Sequence, residues 1–118
     1  MPDNRHQGTK TRQQAIHARC HDADDNGHGT HVAGIAAAAT DNGKGAAGVA
    51  FGGDIQFVVG KVCGEIGRGR FKSYGCPSSA VAEGIMWAVD EGAVALNLSL
   101  GGTVASDAEQ AALQYARA

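Results

Sequence analysis

The chain has 118 residues, enough for one small domain with its own core. Its formal net charge of −2 gives no basic surface of the kind that binds nucleic acid. No run of 18 apolar residues exists, and the polar N-terminus lacks the apolar stretch of a signal peptide. We therefore expect neither nucleic acid nor a membrane as a partner. Eighteen glycines and few aromatic residues favour a parallel α/β fold.

Residues 1–23 are polar and without a clear period, which predicts a loop leading into the domain. His17, Cys20 and His21 lie here at a spacing that would place three metal ligands on one helical face. With His28 and His31 they define one hypothesis, a small His/Cys metal-binding module. Such a cluster is more often incidental, because no fourth ligand is obvious apart from those last two histidines.

Residues 24–39 contain a histidine between glycines, followed by small apolar residues that favour a helix. We expect His28 at or near the first turn, with its ring facing outward and the helix body buried. Asp24 and Asp25 are then predicted to cap that helix or to lie in its first turn.

The rest of the chain alternates between strand and helix patterns. Residues 54–62 and 93–100 are predicted to be buried strands, and residues 64–75 an exposed, glycine-rich basic loop. A helix is predicted from Pro77 to a left-handed glycine cap at Gly92, and another over residues 106–118. The alternation implies right-handed crossovers and a parallel sheet.

Three motifs resemble those of the subtilisin-like serine proteases, or subtilases. Residues 28–34 read His-Gly-Thr-His-Val-Ala-Gly, residues 84–88 Gly-Ile-Met-Trp-Ala, and residues 97–102 Asn-Leu-Ser-Leu-Gly-Gly. The resemblance implies an α/β, three-layer fold with a parallel sheet flanked by helices, of which residues 24–118 are the central part.

The resemblance also implies roles for individual residues. His28 is expected to be the general base of an Asp/His/Ser mechanism of peptide-bond hydrolysis, with His31 as a structural residue. Ser99, Leu100 and Gly101 are expected to form a strand that binds a peptide or protein substrate. No organic cofactor is implied.

The remaining parts of that mechanism are missing from these residues. The family's aspartate motif, Asp-Thr-Gly or Asp-Ser-Gly, is absent before His28, and its nucleophile motif, Gly-Thr-Ser-Met-Ala, is absent after it. The remainder of the catalytic domain is therefore an expected partner, and the chain alone is expected to be inactive. The alternative is a catalytically inactive, peptide-binding fragment or pseudoprotease.

Two structural features follow from the resemblance. The loop after the histidine helix is expected to hold a structural Ca²⁺ through Thr40, Asn42, Lys44 and Ala46. Cys63 and Cys76 bracket the glycine-rich loop, in a region where many extracellular subtilases carry cysteines, and are expected to pair; the alternative is three reduced thiols in a cytosolic protein. We expect the complete protein to be secreted.

Overall fold

The computed structural model describes residues 11–15, 23–50 and 53–118. The chain divides into two compact units, residues 1–12 with 26–57, and residues 13–25 with 58–118. Within the described residues the order is strand β1 Thr11–Ala15, helix α1 His28–Ala37, strands β2 Phe57–Lys61, β3 Gly64–Ile66 and β4 Ser73–Gly75, and helices α2 Ser78–Asp90 and α3 Asp107–Ala116. None of these helices is long and apolar enough to cross a membrane.

Helix α1 is the main element of the first unit, and it begins at His28. Gly27 is the N-cap, with φ of 86°, a conformation that favours glycine. The prediction that Asp24 and Asp25 cap this helix is wrong, because the first turn holds no acidic residue and receives no side-chain cap.

The helix body is not buried, which corrects a second prediction. Helix α1 has no buried residue, and Ile35 is 55% exposed. The described part of this unit contains no second helix to cover the apolar face of α1. A helix whose sequence is typical of a protein core therefore lies on the surface here.

A turn after the loop of residues 40–46 closes the C-terminal end of α1. Helix ends leave carbonyl groups without partners inside the helix, and backbone amides of this turn supply them. The bonds run from Gly48 N to Ala38 O (3.3 Å), from Val49 N to Ile35 O (2.9 Å) and from Ala50 N to Ala36 O (2.9 Å). The turn at Gly48, Val49 and Ala50 therefore closes the end of the helix.

We expect Gly48→Ala to destabilise the fold, because Gly48 is buried and its Cα faces the helix backbone directly. A Cβ there would lie 2.6 Å from Ala37 Cα and would also clash with Ala38 N. The expected loss of unfolding free energy is about 1–3 kcal/mol, the usual cost of overpacking. Urea denaturation of the chain measures it. In the control Gly34→Ala the new methyl group meets nothing within 4 Å, and an equal loss in both variants would contradict the prediction.

The described strands form two small sheets. Strand β1 pairs with β2, so residues 11–15 form a strand where a loop was predicted. Strands β3 and β4 form an antiparallel hairpin in which Gly64 pairs with Gly75, and Glu65 with Tyr74. The glycine-rich segment is therefore a short hairpin, with a 3₁₀ turn at Gly69–Phe71, and not only a loop.

Helices α2 and α3 pack on each other and form the core of the second unit. The buried residues of that contact are Val81, Ala82, Ile85 and Ala112, against which Val62, Leu96 and Ala116 pack. Ser106 caps α3 by accepting a hydrogen bond from Glu109 N at 3.4 Å. Gly92, with φ of 83°, follows α2 in the predicted left-handed conformation.

Residues 93–100 do not form a strand in this structure, contrary to the sequence prediction. They are largely exposed, and Val94 is fully so. A strand buried on both faces needs hydrogen-bonding neighbours, and no described residue pairs with this segment. The described residues thus combine helices with two two-stranded sheets, and the parallel three-layer arrangement does not form among them.

Candidate active site

His28 occupies an approachable position at the start of α1. It is the first residue of that helix, between Gly27 and Gly29, and it is exposed. His31 lies one turn further along, and its backbone amide donates to Gly27 O at 3.0 Å. The glycines on either side add no bulk, so a reacting group can reach the imidazole.

The segment predicted to bind substrate is exposed as well. Ser99, Leu100 and Gly101 all have open surfaces, and the side-chain amide of Asn97 donates to Ser99 Oγ at 2.9 Å. A Cβ built on Gly101 meets no atom within 4 Å. This segment belongs to the second compact unit and His28 to the first.

The predicted calcium loop bends through three residues of positive φ. They are Asp41 at 55°, Gly43 at 68° and Gly45 at 63°. Asn42 Oδ1 accepts a hydrogen bond from Lys44 N at 3.0 Å, which folds the loop onto itself. Asn42, Lys44 and Ala46 are exposed and Thr40 is half-buried, so oxygen atoms of this loop are accessible to a cation.

A separate metal centre is not seen in residues 23–50 and 53–118, where no three His, Cys, Asp or Glu side chains lie close enough to hold an ion. His17, Cys20 and His21 lie outside the described residues, so the metal-module hypothesis stays a prediction.

Cys63 and Cys76 form a disulfide in the structure, with Cα atoms 4.1 Å apart. The bond lies beside the Gly64–Gly75 pair and links the two strands of the hairpin at its open end.

We predict that the native protein carries this bond and that Cys20 is free. Closing the loop contributes roughly 3 kcal/mol in the chain-entropy model. Thiol counting under denaturing, non-reducing conditions is expected to find one free thiol among the three cysteines. That thiol is expected to be absent in Cys20→Ser. Three free thiols would rule the bond out.

Sequence reasoning missed a polar cluster around Asp25. Lys61 Nζ lies 3.1 Å from Asp25 Oδ2, and the Tyr74 hydroxyl donates to Asp25 Oδ1 at 3.1 Å. The hydrogen bond from Lys61 holds the pKa of Asp25 below its ordinary value of 3.8. The pair is therefore intact at neutral pH and is lost only as pH falls through that lowered pKa. No local signal predicted it, because its members are far apart in sequence.

Residues 3–118 match the profile described as the subtilase family. Thermitase of Thermoactinomyces vulgaris is 47% identical over 91 residues, which are 77% of this chain and 29% of that protein. Subtilisin DY of Bacillus licheniformis is 38% identical over 103 residues, 87% of this chain and 34% of that protein. The halolysin-like extracellular serine protease Nep of Natrialba magadii is 38% identical over 74 residues, 63% of this chain and 12% of that protein.

These matches place the chain in a class of serine endopeptidases with an α/β fold. The chain belongs to the subtilase family. It spans 34% or less of the length of the three relatives named above. No solved structure matches it.

Proposed function

We propose that residues 24–118 are the central segment of a subtilase catalytic domain that hydrolyses peptide bonds in proteins. The observation that carries the proposal is the uninterrupted His-Gly-Thr-His-Val-Ala-Gly sequence, whose first histidine begins a helix and is exposed. In the complete domain the parallel three-layer sheet would form around residues 93–100. Their apolar, glycine-flanked sequence is typical of a buried strand.

In this proposal His28 takes the proton of a serine hydroxyl as that oxygen attacks the peptide carbonyl. The same imidazole then gives the proton to the leaving amine. A carboxylate on its other nitrogen holds the ring in the correct tautomer and stabilises the imidazolium form. Both the serine and that aspartate would come from the remainder of the domain.

Ser99, Leu100 and Gly101 would bind the substrate chain. Exposed backbone groups of an extended segment pair with a peptide lying alongside, as an added strand does. The exposure of all three residues supports this role. The partners are thus a peptide or protein substrate and the remainder of the catalytic domain.

A direct test compares the 118-residue chain with the complete domain on a general peptide substrate. We expect hydrolysis by the complete domain, blocked by a serine-directed covalent inhibitor, and none by the chain alone, because triad residues act as a unit. Hydrolysis that survives the inhibitor in the complete domain would contradict the serine mechanism. A complete domain that binds peptides and does not cleave them would favour the pseudoprotease.

We also predict a structural Ca²⁺ in the loop of residues 40–46, with Thr40, Lys44 and Ala46 offering backbone carbonyls and Asn42 its side chain. Oxygen ligands from a flexible loop suit this ion. Calcium at a hundred times its Kd would stabilise the complete domain by about 2.7 kcal/mol. The thermal shift with millimolar calcium measures this, and Asn42→Ala is expected to reduce it. If the calcium-dependent thermal shift were the same in Asn42→Ala as in the wild type, the ion would bind outside this loop.

A secreted location is part of the proposal. The disulfide between Cys63 and Cys76 is of a kind that persists in oxidising compartments. One of the relatives is itself named an extracellular protease.

A further inference from the structure

Two neighbouring elements hold the carboxylate of Asp25, one oxygen each. Lys61, the last residue of β2, reaches Asp25 Oδ2 at 3.1 Å and also donates to Ala23 O at 2.6 Å. The Lys61 side chain is 11% exposed and that of Asp25 is 43% exposed, so the lysine end of the ion pair is shielded from solvent and the carboxylate end is open.

Tyr74 supplies the second contact from the hairpin. Its hydroxyl lies 3.1 Å from Asp25 Oδ1 and 3.4 Å from Cys63 O. Tyr74 pairs with Glu65 across β3 and β4, and the Cys63–Cys76 disulfide closes the same hairpin. The hydroxyl is thus presented by a cross-linked element.

The chain after Asp25 leads directly to the reactive histidine. His28 follows Asp25 by three positions, with Asn26 and Gly27 between them, a reach of at most about 11 Å. Between them Gly27 adopts φ of 86°, and a glycine leaves the backbone free to take other conformations. Without a fixed point upstream, the start of α1 has many accessible positions.

We propose that Asp25 is a positioning residue for His28, held in place by Lys61 and Tyr74. The inference rests on the proposed function, because it concerns how that general base is aligned. Asp25 does not touch substrate. It fixes the chain from which the histidine helix starts, and misplacement of a general base by about 1 Å costs up to a hundredfold in rate.

The test uses the complete catalytic domain with Tyr74→Phe, which removes only the hydroxyl, and Asp25→Asn, which removes the charge. We expect each to lower kcat at least about tenfold with KM within about twofold, because substrate binding is untouched. Lys61→Met is expected to behave likewise, and Lys61→Arg, which keeps a cationic donor, to retain most of the activity.

Tyr115→Phe is the matched control. The Tyr115 hydroxyl donates to Asp90 Oδ1 at 2.7 Å, between helices α3 and α2, and this proposal gives it no role at His28. It is expected to leave kcat unchanged. If Tyr74 had a merely structural role, Tyr74→Phe would lower both the thermal midpoint and the fraction of active enzyme. The kcat per active site, counted by active-site titration, would then equal that of the wild type. That result, or unchanged kcat in Tyr74→Phe and Asp25→Asn, would overturn the positioning role.

These outcomes are distinct from failure of the proposed function. A complete wild-type domain that does not hydrolyse peptides would overturn the proposed function and this inference with it. A wild-type domain that is active, with activity that depends on His28 and is indifferent to Asp25, Lys61 and Tyr74, would overturn the inference alone.

Discussion

We expect His28→Ala in the complete catalytic domain to lower kcat by roughly a millionfold, which is the size of the loss on removing the triad histidine of a subtilisin. Without the imidazole, no group takes the proton of the attacking hydroxyl, and the leaving amine departs unprotonated. Because His28 is exposed at the first position of α1, we expect the variant to fold and to bind peptides normally. The loss should therefore appear in kcat and not in KM.

Steady-state kinetics with one chromogenic peptide measure both constants. His17→Ala is the control, since His17 lies outside the motif, and we expect it to keep wild-type kcat. If the metal-module hypothesis were correct, the chain would bind zinc in a titration, and His17→Ala would weaken that binding. Retention of kcat within tenfold in His28→Ala would remove this histidine from the general-base role.

The parts of the fold that the sequence predicted are those with local signals. Small apolar residues after a glycine-flanked histidine predicted α1 from its first turn, and Gly92 marked the end of α2 in the left-handed conformation. Ser106, a good capping residue before an amphipathic stretch, coincides with the start of α3. Each signal depends only on neighbours within one or two turns.

The parts that sequence reasoning missed depend on contacts between distant residues. Residues 11–15 have no strand pattern and become a strand by pairing with β2. The Asp25 contacts join residues 36 and 49 positions apart, at Lys61 and Tyr74, which no periodicity reveals. Conversely, the apolar run at residues 93–100 has the composition of a buried strand and no strand partner among the described residues.

The candidate site follows the same division. The position of His28 on α1 could be predicted because helix and motif share the same residues. The pairing of the proposed peptide-binding segment with a sheet has no such local signal, because in this proposal its strand partners come from elsewhere in the domain. The effect of substitutions in that segment therefore has to be measured in the complete protein.

Gly101→Val is expected to cause the largest change in substrate selection. The resemblance to the subtilases implies that this residue lies in the wall of the pocket that receives the side chain before the scissile bond, so a branched side chain there would fill the pocket. We expect kcat/KM for peptides with a bulky residue at that position to fall by at least roughly 10- to 200-fold, because one methylene in an apolar pocket changes it that much and valine adds three carbon atoms.

Stability should change little in that variant. A Cβ at Gly101 meets no atom within 4 Å, and the residue is not among those with positive φ, so valine is accommodated locally without strain. Thermal unfolding checks this separately from the kinetics. Gly101→Ala, which adds one methyl group, is expected to give an intermediate loss.

The decisive measurement is a panel of otherwise identical peptides with alanine, leucine or phenylalanine before the scissile bond. Because the added side chain takes up pocket volume, the loss should grow from alanine to phenylalanine, and Gly101→Val should cleave the alanine peptide nearly as well as the wild type does. An equal loss for all three peptides would mean that the substitution disturbs the strand and not the pocket. Unaltered kinetics across the panel would show that residues 99–101 do not contact the substrate.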